Sequence, residues 1–191
     1  GGWLVFVAAP TPRAAHAAGV YALTLVALFG VSGLYHRVTW SPRVRGWLRR
    51  IDHATIFLLL AGTYTPFAVL VIPAPLGPAL LAAVWACAAA GLVLSILWVA
   101  APRWIIGLLC TAMGWVSLIA APALTTAAGA RPVVLLAAGG ALYTVGALTY
   151  VRRWPDPAPG VFGYHEFFHL LVVAAAGVHF AAVLLDALPR G

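Results

Sequence analysis

The chain contains no lysine, and only four carboxylates occur among its 191 residues: Asp52, Asp156, Glu166 and Asp186. Charged residues of both signs make up 8% of it, against the ~25% of an ordinary soluble domain. So little charge cannot cover a water-facing surface, which excludes a soluble globular domain. Cysteine is as scarce: Cys87 and Cys110 stand alone inside apolar segments, with no CxxC spacing. Both read as buried small hydrophobes and say little about redox compartment. No signal peptide is visible, and Gly1 to Ala9 is apolar but too short to cross a ~30 Å hydrocarbon layer. It reads as the tail of a first span whose beginning lies outside this sequence.

What is present is apolar: 64% of the residues are hydrophobic, and the mean hydropathy is +1.02. These residues come in long runs instead of one-sided stripes, the pattern of membrane-spanning helices. Breaks fall where Arg, Pro and Gly cluster. The expected spans are 14–35, 54–72, 77–99, 104–124, 132–151 and 161–188, after a partial one over 1–9. Together they make residues 1–191 a single transmembrane domain. Trp40, Trp47, Trp104 and Trp154 sit near span ends, as an interfacial aromatic belt places them. Pro66 falls inside a span, where neighbouring helices can re-satisfy the backbone.

The formal charge is +7. In a soluble protein such a balance would suggest nucleic acid. Here the arginines lie in short connections, so they report topology and imply no nucleic-acid partner. Arg37, Arg43, Arg45, Arg49, Arg50, Arg103, Arg152 and Arg153 fall on one side; Arg13, Arg131 and Arg190 fall on the other. The first group marks the expected cytoplasmic face, with the N-terminus inside and the C-terminus outside.

Ionisable groups at membrane depth are costly, and each is a candidate for function. His165 and His169 are four apart at the start of the last span. On a helix that offset is about 40° of rotation and roughly 6 Å of rise, so both rings can face one atom. His36 ends the span before the arginine-rich stretch, with Ser32 one turn earlier on the same face. Asp52 follows that stretch, which reads as a loop. All fall at cytoplasmic span ends, at similar depth. Three imidazoles around an open fourth position form the ligand set of a catalytic zinc. In that arrangement His36, His165 and His169 are the ligands, Asp52 handles the proton of a water, and Ser32 supports the site. The set also suits other borderline divalent ions.

The remaining polar residues point elsewhere. His53 adjoins Asp52 but faces about 100° away, a supporting or interfacial position. His179 lies about 15 Å deeper than His169 and reads as a buried, hydrogen-bonded histidine. His16 belongs to the far interface, and Asp156 and Asp186 read as solvated near span ends. The stretch from His165 to His169 also matches H-E-x-x-H, in which Glu166 would be a protease base. That site often takes a further ligand downstream. The only carboxylate there, Asp186, is about 25 Å along the helix. The third ligand must come from upstream, which leaves Glu166 facing the interface or an arginine.

Ser32-Gly33-Leu34-Tyr35-His36, Ile51-Asp52-His53 and Ala61-Gly62-Thr63-Tyr64-Thr65-Pro66 resemble the hemolysin III family. That family is the bacterial branch of the progestin and adipoQ receptors. Met113-Gly114-Trp115, Gly139-Gly140 through Tyr143, Gly146, Tyr150 and the closing His165 and His169 extend the resemblance over nearly the whole chain. It implies an all-α seven-helix bundle in a bacterial plasma membrane, with the first helix mostly absent from this sequence. It also implies zinc on His36, His165 and His169 near the cytoplasmic leaflet, with Ser32 and Asp52 beside it. The wider superfamily includes hydrolases of lipid amides such as ceramidases, so a ceramidase-like amidohydrolase acting on membrane lipids is one implied function. A lipid-homeostasis or sensor protein with structural zinc is another. Cytolysis, the sense of the family's name, is the third, and it sits poorly with a permanently embedded chain.

Overall fold

The computed structural model describes residues 9–98, 101–158 and 160–191, and among these every regular element is helical. The partial span expected over 1–9 lies, Ala9 apart, outside the described residues. The helices are α1 (Pro12–Arg37), α2 (Pro42–Leu70), α3 (Leu76–Leu97), α4 (Arg103–Trp115), α5 (Ser117–Ala128), α6 (Ala130–Arg152) and α7 (Tyr164–Ala182). With α4 and α5 counted as one span, six helices are long and apolar enough to cross a membrane. Their outward faces are apolar: Leu23, Leu97 and Ile119 are 71%, 77% and 68% exposed. Side chains of that kind in that number need lipid around them, not water.

The residues form two compact units, 1–101 with 187–191, and 102–186. In the first, α2 packs against both α1 and α3 and is the most deeply buried span. Small residues allow the close approach, as in other membrane helix pairs. A methyl group on Gly62 of α2 would overlap Thr24 of α1, and one on Gly91 of α3 would overlap the Phe57 ring. Pro66 is fully buried inside α2.

Chain signals set the ends of these helices. Thr11 caps α1, its hydroxyl accepting from the Ala14 N–H at 3.1 Å, and Pro12 takes the first helical position, where its fixed φ fits. His36 and Arg37 occupy the last turn, where positive charge meets the negative end of the helix dipole. The next helix begins at once: Pro42 opens α2, and the arginine-rich stretch that reads as a loop forms its first turns. Arginine is a good helix former, and proline at the first position removes a donor that would be unpaired anyway. Asp52 therefore lies about three turns inside α2 instead of at its start.

In the second unit α6 packs against α7, α4 and α5. Gly129 turns the chain into α6 with φ +80°, ψ −177°, a region open essentially to glycine alone. Trp115 on α4 donates to Thr144 on α6 at 3.0 Å, and Thr144 donates to the Gly140 carbonyl at 2.7 Å. A π turn over Val183–Ala187 follows α7. Asp186 in that turn is fully buried, against the solvated position expected from its place near the chain's end. Arg131 explains the difference. Its Nε and Nη2 both donate to one Asp186 carboxylate oxygen, at 2.9 and 2.7 Å, and Nη2 also reaches the Leu185 carbonyl at 3.1 Å. The ion pair ties the start of α6 to the end of the last helix. Arg131→Ala should lower the melting temperature in detergent, while Arg131→Lys, which keeps the charge without the fork, should recover part of it. The 62% exposure of the Arg131 side chain keeps the loss modest. A melting curve identical to wild type for Arg131→Ala would show that the pair adds nothing.

Cys87 also departs from expectation. It is exposed on α3, and Cys110 on α4 is half-buried; both are free thiols. A small apolar residue on an outward face costs nothing when the surroundings are lipid.

Candidate functional site

In the first unit, the last turns of α1 and the third turn of α2 bring Ser32, His36 and Asp52 into one group. The Ser32 side chain and His36 both lie close enough to the Asp52 carboxylate to interact with its charge. A tight connection sets the geometry. The Trp40 indole donates to the Leu34 carbonyl at 2.8 Å and folds the link between the helices back on itself. The Thr55 hydroxyl donates to the Asp52 carbonyl at 2.7 Å. His36 is exposed and Asp52 half-buried. This group offers an imidazole, a hydroxyl and a carboxylate in one place. His53, next to Asp52, is half-buried.

In the second unit, His165 and His169 stack one turn apart on α7. Their Nε2 atoms are 3.1 Å apart, their ring centroids are 4.6 Å apart, and the rings meet at 88°. The start of the helix is fixed by two carboxylates. Glu166 accepts from the Gly163 N–H at 2.9 Å, and Asp156 accepts from the Tyr164 N–H at 2.8 Å. These anions satisfy donors that a helix start leaves unpaired and lie at its positive end. Glu166 thus has a local capping role at the start of α7.

Aromatic rings hold the histidine pair in place. Phe168 lies 6.1 Å from the His165 ring and 5.2 Å from the His169 ring, centroid to centroid. Tyr150, on α6, lies 6.2 Å from His165 and 5.2 Å from Phe168. The helices approach at Gly146, one turn before Tyr150, where a methyl group would just touch Phe168 and Leu171 at 3.5 Å. The sequence carried a signal for Tyr150 in the spacing of Gly146 and Tyr150 on one helix face, but gave it no role.

Two further histidines have backbone partners of their own. His179 is 9% exposed, and its Nε2 sits 3.2 Å from the Leu136 carbonyl, as a buried, hydrogen-bonded histidine should. His16 is exposed near the start of α1, with Nδ1 2.7 Å from the Pro12 carbonyl.

The donor set of the histidine pair fits a divalent ion. Two imidazole nitrogens bound to one tetrahedral zinc at ~2.0–2.1 Å stand about 3.3–3.4 Å apart. The 3.1 Å separation of the two Nε2 atoms needs only a slight opening of the rings to reach that value.

Comparison with known proteins places these residues in a wider set. The model of a family described as haemolysin-III related matches residues 2–180, a range that includes both histidine-bearing groups and ends before Asp186. Hemolysin-3 of Bacillus cereus is 35% identical over 182 residues, covering 94% of this chain and 78% of that protein. The Hemolysin-3 homolog of Bacillus subtilis (strain 168) is 31% identical over 166 residues, covering 86% and 74%. Among animal proteins, the human Monocyte to macrophage differentiation factor is 26% identical over 174 residues, covering 87% and 68%.

Proposed function

This chain belongs to the haemolysin-III related family, and we propose that it is a multi-pass membrane hydrolase of lipid amides or esters. In this reading His36, His165 and His169 together hold one zinc ion. The observation that carries it is the His165–His169 pair, whose ring nitrogens already face each other at nearly the spacing of two ligands on one ion. The grouping of His36 with Ser32 and Asp52 supplies the third donor and a carboxylate for proton transfer.

Zinc bound there would polarise a carbonyl oxygen and lower the pKa of a water ligand toward neutrality. Every other part falls to the chain. Asp52 takes the proton from the attacking water and returns it to the departing amine or alcohol as the C–N or C–O bond breaks. The Ser32 hydroxyl holds the carboxylate in one orientation. Phe168 and Tyr150 restrict the rings of His165 and His169, keeping their nitrogens aimed at a common point. The lipid-facing helices give an acyl substrate a direct approach.

The reading extends to the whole chain. It places the protein in the bacterial plasma membrane as a seven-helix bundle. The arginine-rich side, which carries the site, faces the cytoplasm, with the N-terminus inside and the C-terminus outside.

Metal content of the purified protein by plasma mass spectrometry tests the site. Wild type should carry about one zinc per chain, and both His36→Ala and His169→Ala should lose it. His36 is exposed, so its removal should leave the helices intact, which a circular dichroism spectrum checks. Well-folded wild type without metal would end the hydrolase mechanism. Retention of zinc in His36→Ala alone would remove His36 from the ligand set.

A further inference from the structure

Helix α2 has 29 residues, about 44 Å at ~1.5 Å per residue, whereas the hydrocarbon layer is only ~30 Å thick. The surplus falls on its first turns, which hold four arginines and, before Asp52, no carboxylate. That places Arg43 to Ile51 at the level of lipid headgroups.

The arrangement of side chains around this stretch is ordered. On a helical projection, Trp47, Ile51, Val44 and Leu48 fill an arc of about 100°. Val44, Trp47 and Ile51 are 40%, 49% and 42% exposed, so the arc faces outward. Arg43 and Arg50 border it on one side, within about 60° of Trp47, and Arg45 and Arg49 border it on the other. Two of these guanidinium groups are held against rings: Arg50 lies 4.4 Å from the Trp47 ring centroid and Arg45 lies 5.8 Å from that of Tyr35. The Nε of Arg50 is buried without a hydrogen-bond partner. Among the described residues no carboxylate pairs with Arg43, Arg45 or Arg50.

We propose that the first turns of α2 bind an anionic phospholipid, its acyl chain along Val44, Trp47 and Ile51 and its phosphate on Arg43 and Arg50. Each half of the surface answers one half of that ligand. The guanidinium fork donates two parallel hydrogen bonds to phosphate oxygens, and stacking on Trp47 holds the Arg50 fork in place at little entropic cost. The apolar arc has no use for a free phosphate ion or a soluble polyanion, but it matches an acyl chain. The lipid site stands whether or not the histidines hold a metal.

The full chain, purified in detergent and offered equal amounts of phosphatidylglycerol and phosphatidylcholine, tests this by native mass spectrometry of the lipids retained. Wild type should keep phosphatidylglycerol preferentially. Arg43→Gln/Arg50→Gln should weaken that preference by about fivefold for each arginine removed. Arg152→Gln/Arg153→Gln, which removes the same charge from another helix end, should leave it unchanged, and Arg43→Lys/Arg50→Lys, which keeps the charge without the fork, should recover only part of it. Excess inorganic phosphate should not displace the lipid. The proposal is overturned by equal retention of the two lipids in wild type, by equal losses in both glutamine variants, or by complete displacement with phosphate.

Discussion

Asp52→Asn is expected to keep its metal and to lose about 10²–10⁴-fold in the rate of lipid amide hydrolysis. Asparagine has nearly the shape of aspartate, and its amide can still interact with the nearby Ser32 side chain. Packing against α1 should therefore survive. What disappears is the ability to take a proton from water and deliver it to the leaving group, so the loss belongs to turnover and not to folding or metal affinity. Ser32→Ala should have a smaller effect in the same direction, since it frees the carboxylate without removing it. Metal content and single-turnover hydrolysis, measured on the same preparations, separate the alternatives. If Asp52→Asn loses the metal, the carboxylate is itself a ligand. The site is then closed, and a structural ion in a lipid-homeostasis or sensor protein becomes the better account. If it keeps both metal and activity, the proton-transfer role assigned to Asp52 is wrong.

The sequence made the local parts of this site legible because they are governed by helical spacing. A separation of four residues is enough to bring the rings of His165 and His169 together, and Ser32 and His36 lie one turn apart for the same reason. The long apolar runs were equally plain, since few other arrangements suit such runs between arginines. Other features depended on contacts that no window of sequence contains. The first turns of α2 looked like a loop because arginine, proline and glycine mark breaks between apolar runs. Their own helix propensity, with Pro42 at the first position, decides the matter. Glu166 drew notice as part of H-E-x-x-H, yet the demand of a helix start for acceptors claims it first. Asp186 looked solvated near the chain's end. A π turn faces it inward, and its partner Arg131 lies 55 residues earlier. Cys87 looked buried by the rule for soluble proteins, a rule that lipid surroundings invert.

Gly139→Ala should destabilise the protein by about 1–3 kcal/mol, the usual cost of forcing a methyl group into a filled interface. Gly139 on α6 faces the imidazole of His179 on α7 so closely that a Cβ would overlap the ring. The ring cannot simply swing aside. It is buried, its Nε2 lies 3.2 Å from the Leu136 carbonyl, and the Tyr143 ring stands 5.5 Å away, centroid to centroid. Moving it would give up that hydrogen bond in surroundings where water offers no replacement. The methyl group therefore either parts α6 from α7 or strands a polar ring, and both are unfavourable. The double variant Gly139→Ala/His179→Ala distinguishes this clash from a general sensitivity of α6. With the imidazole gone there is room for the methyl group, so the two substitutions together should cost less than the sum of each alone. Thermal melting of the four proteins in one detergent measures that coupling. Strictly additive losses would show that Gly139 and His179 do not constrain each other, and the close packing of α6 on α7 would need another cause.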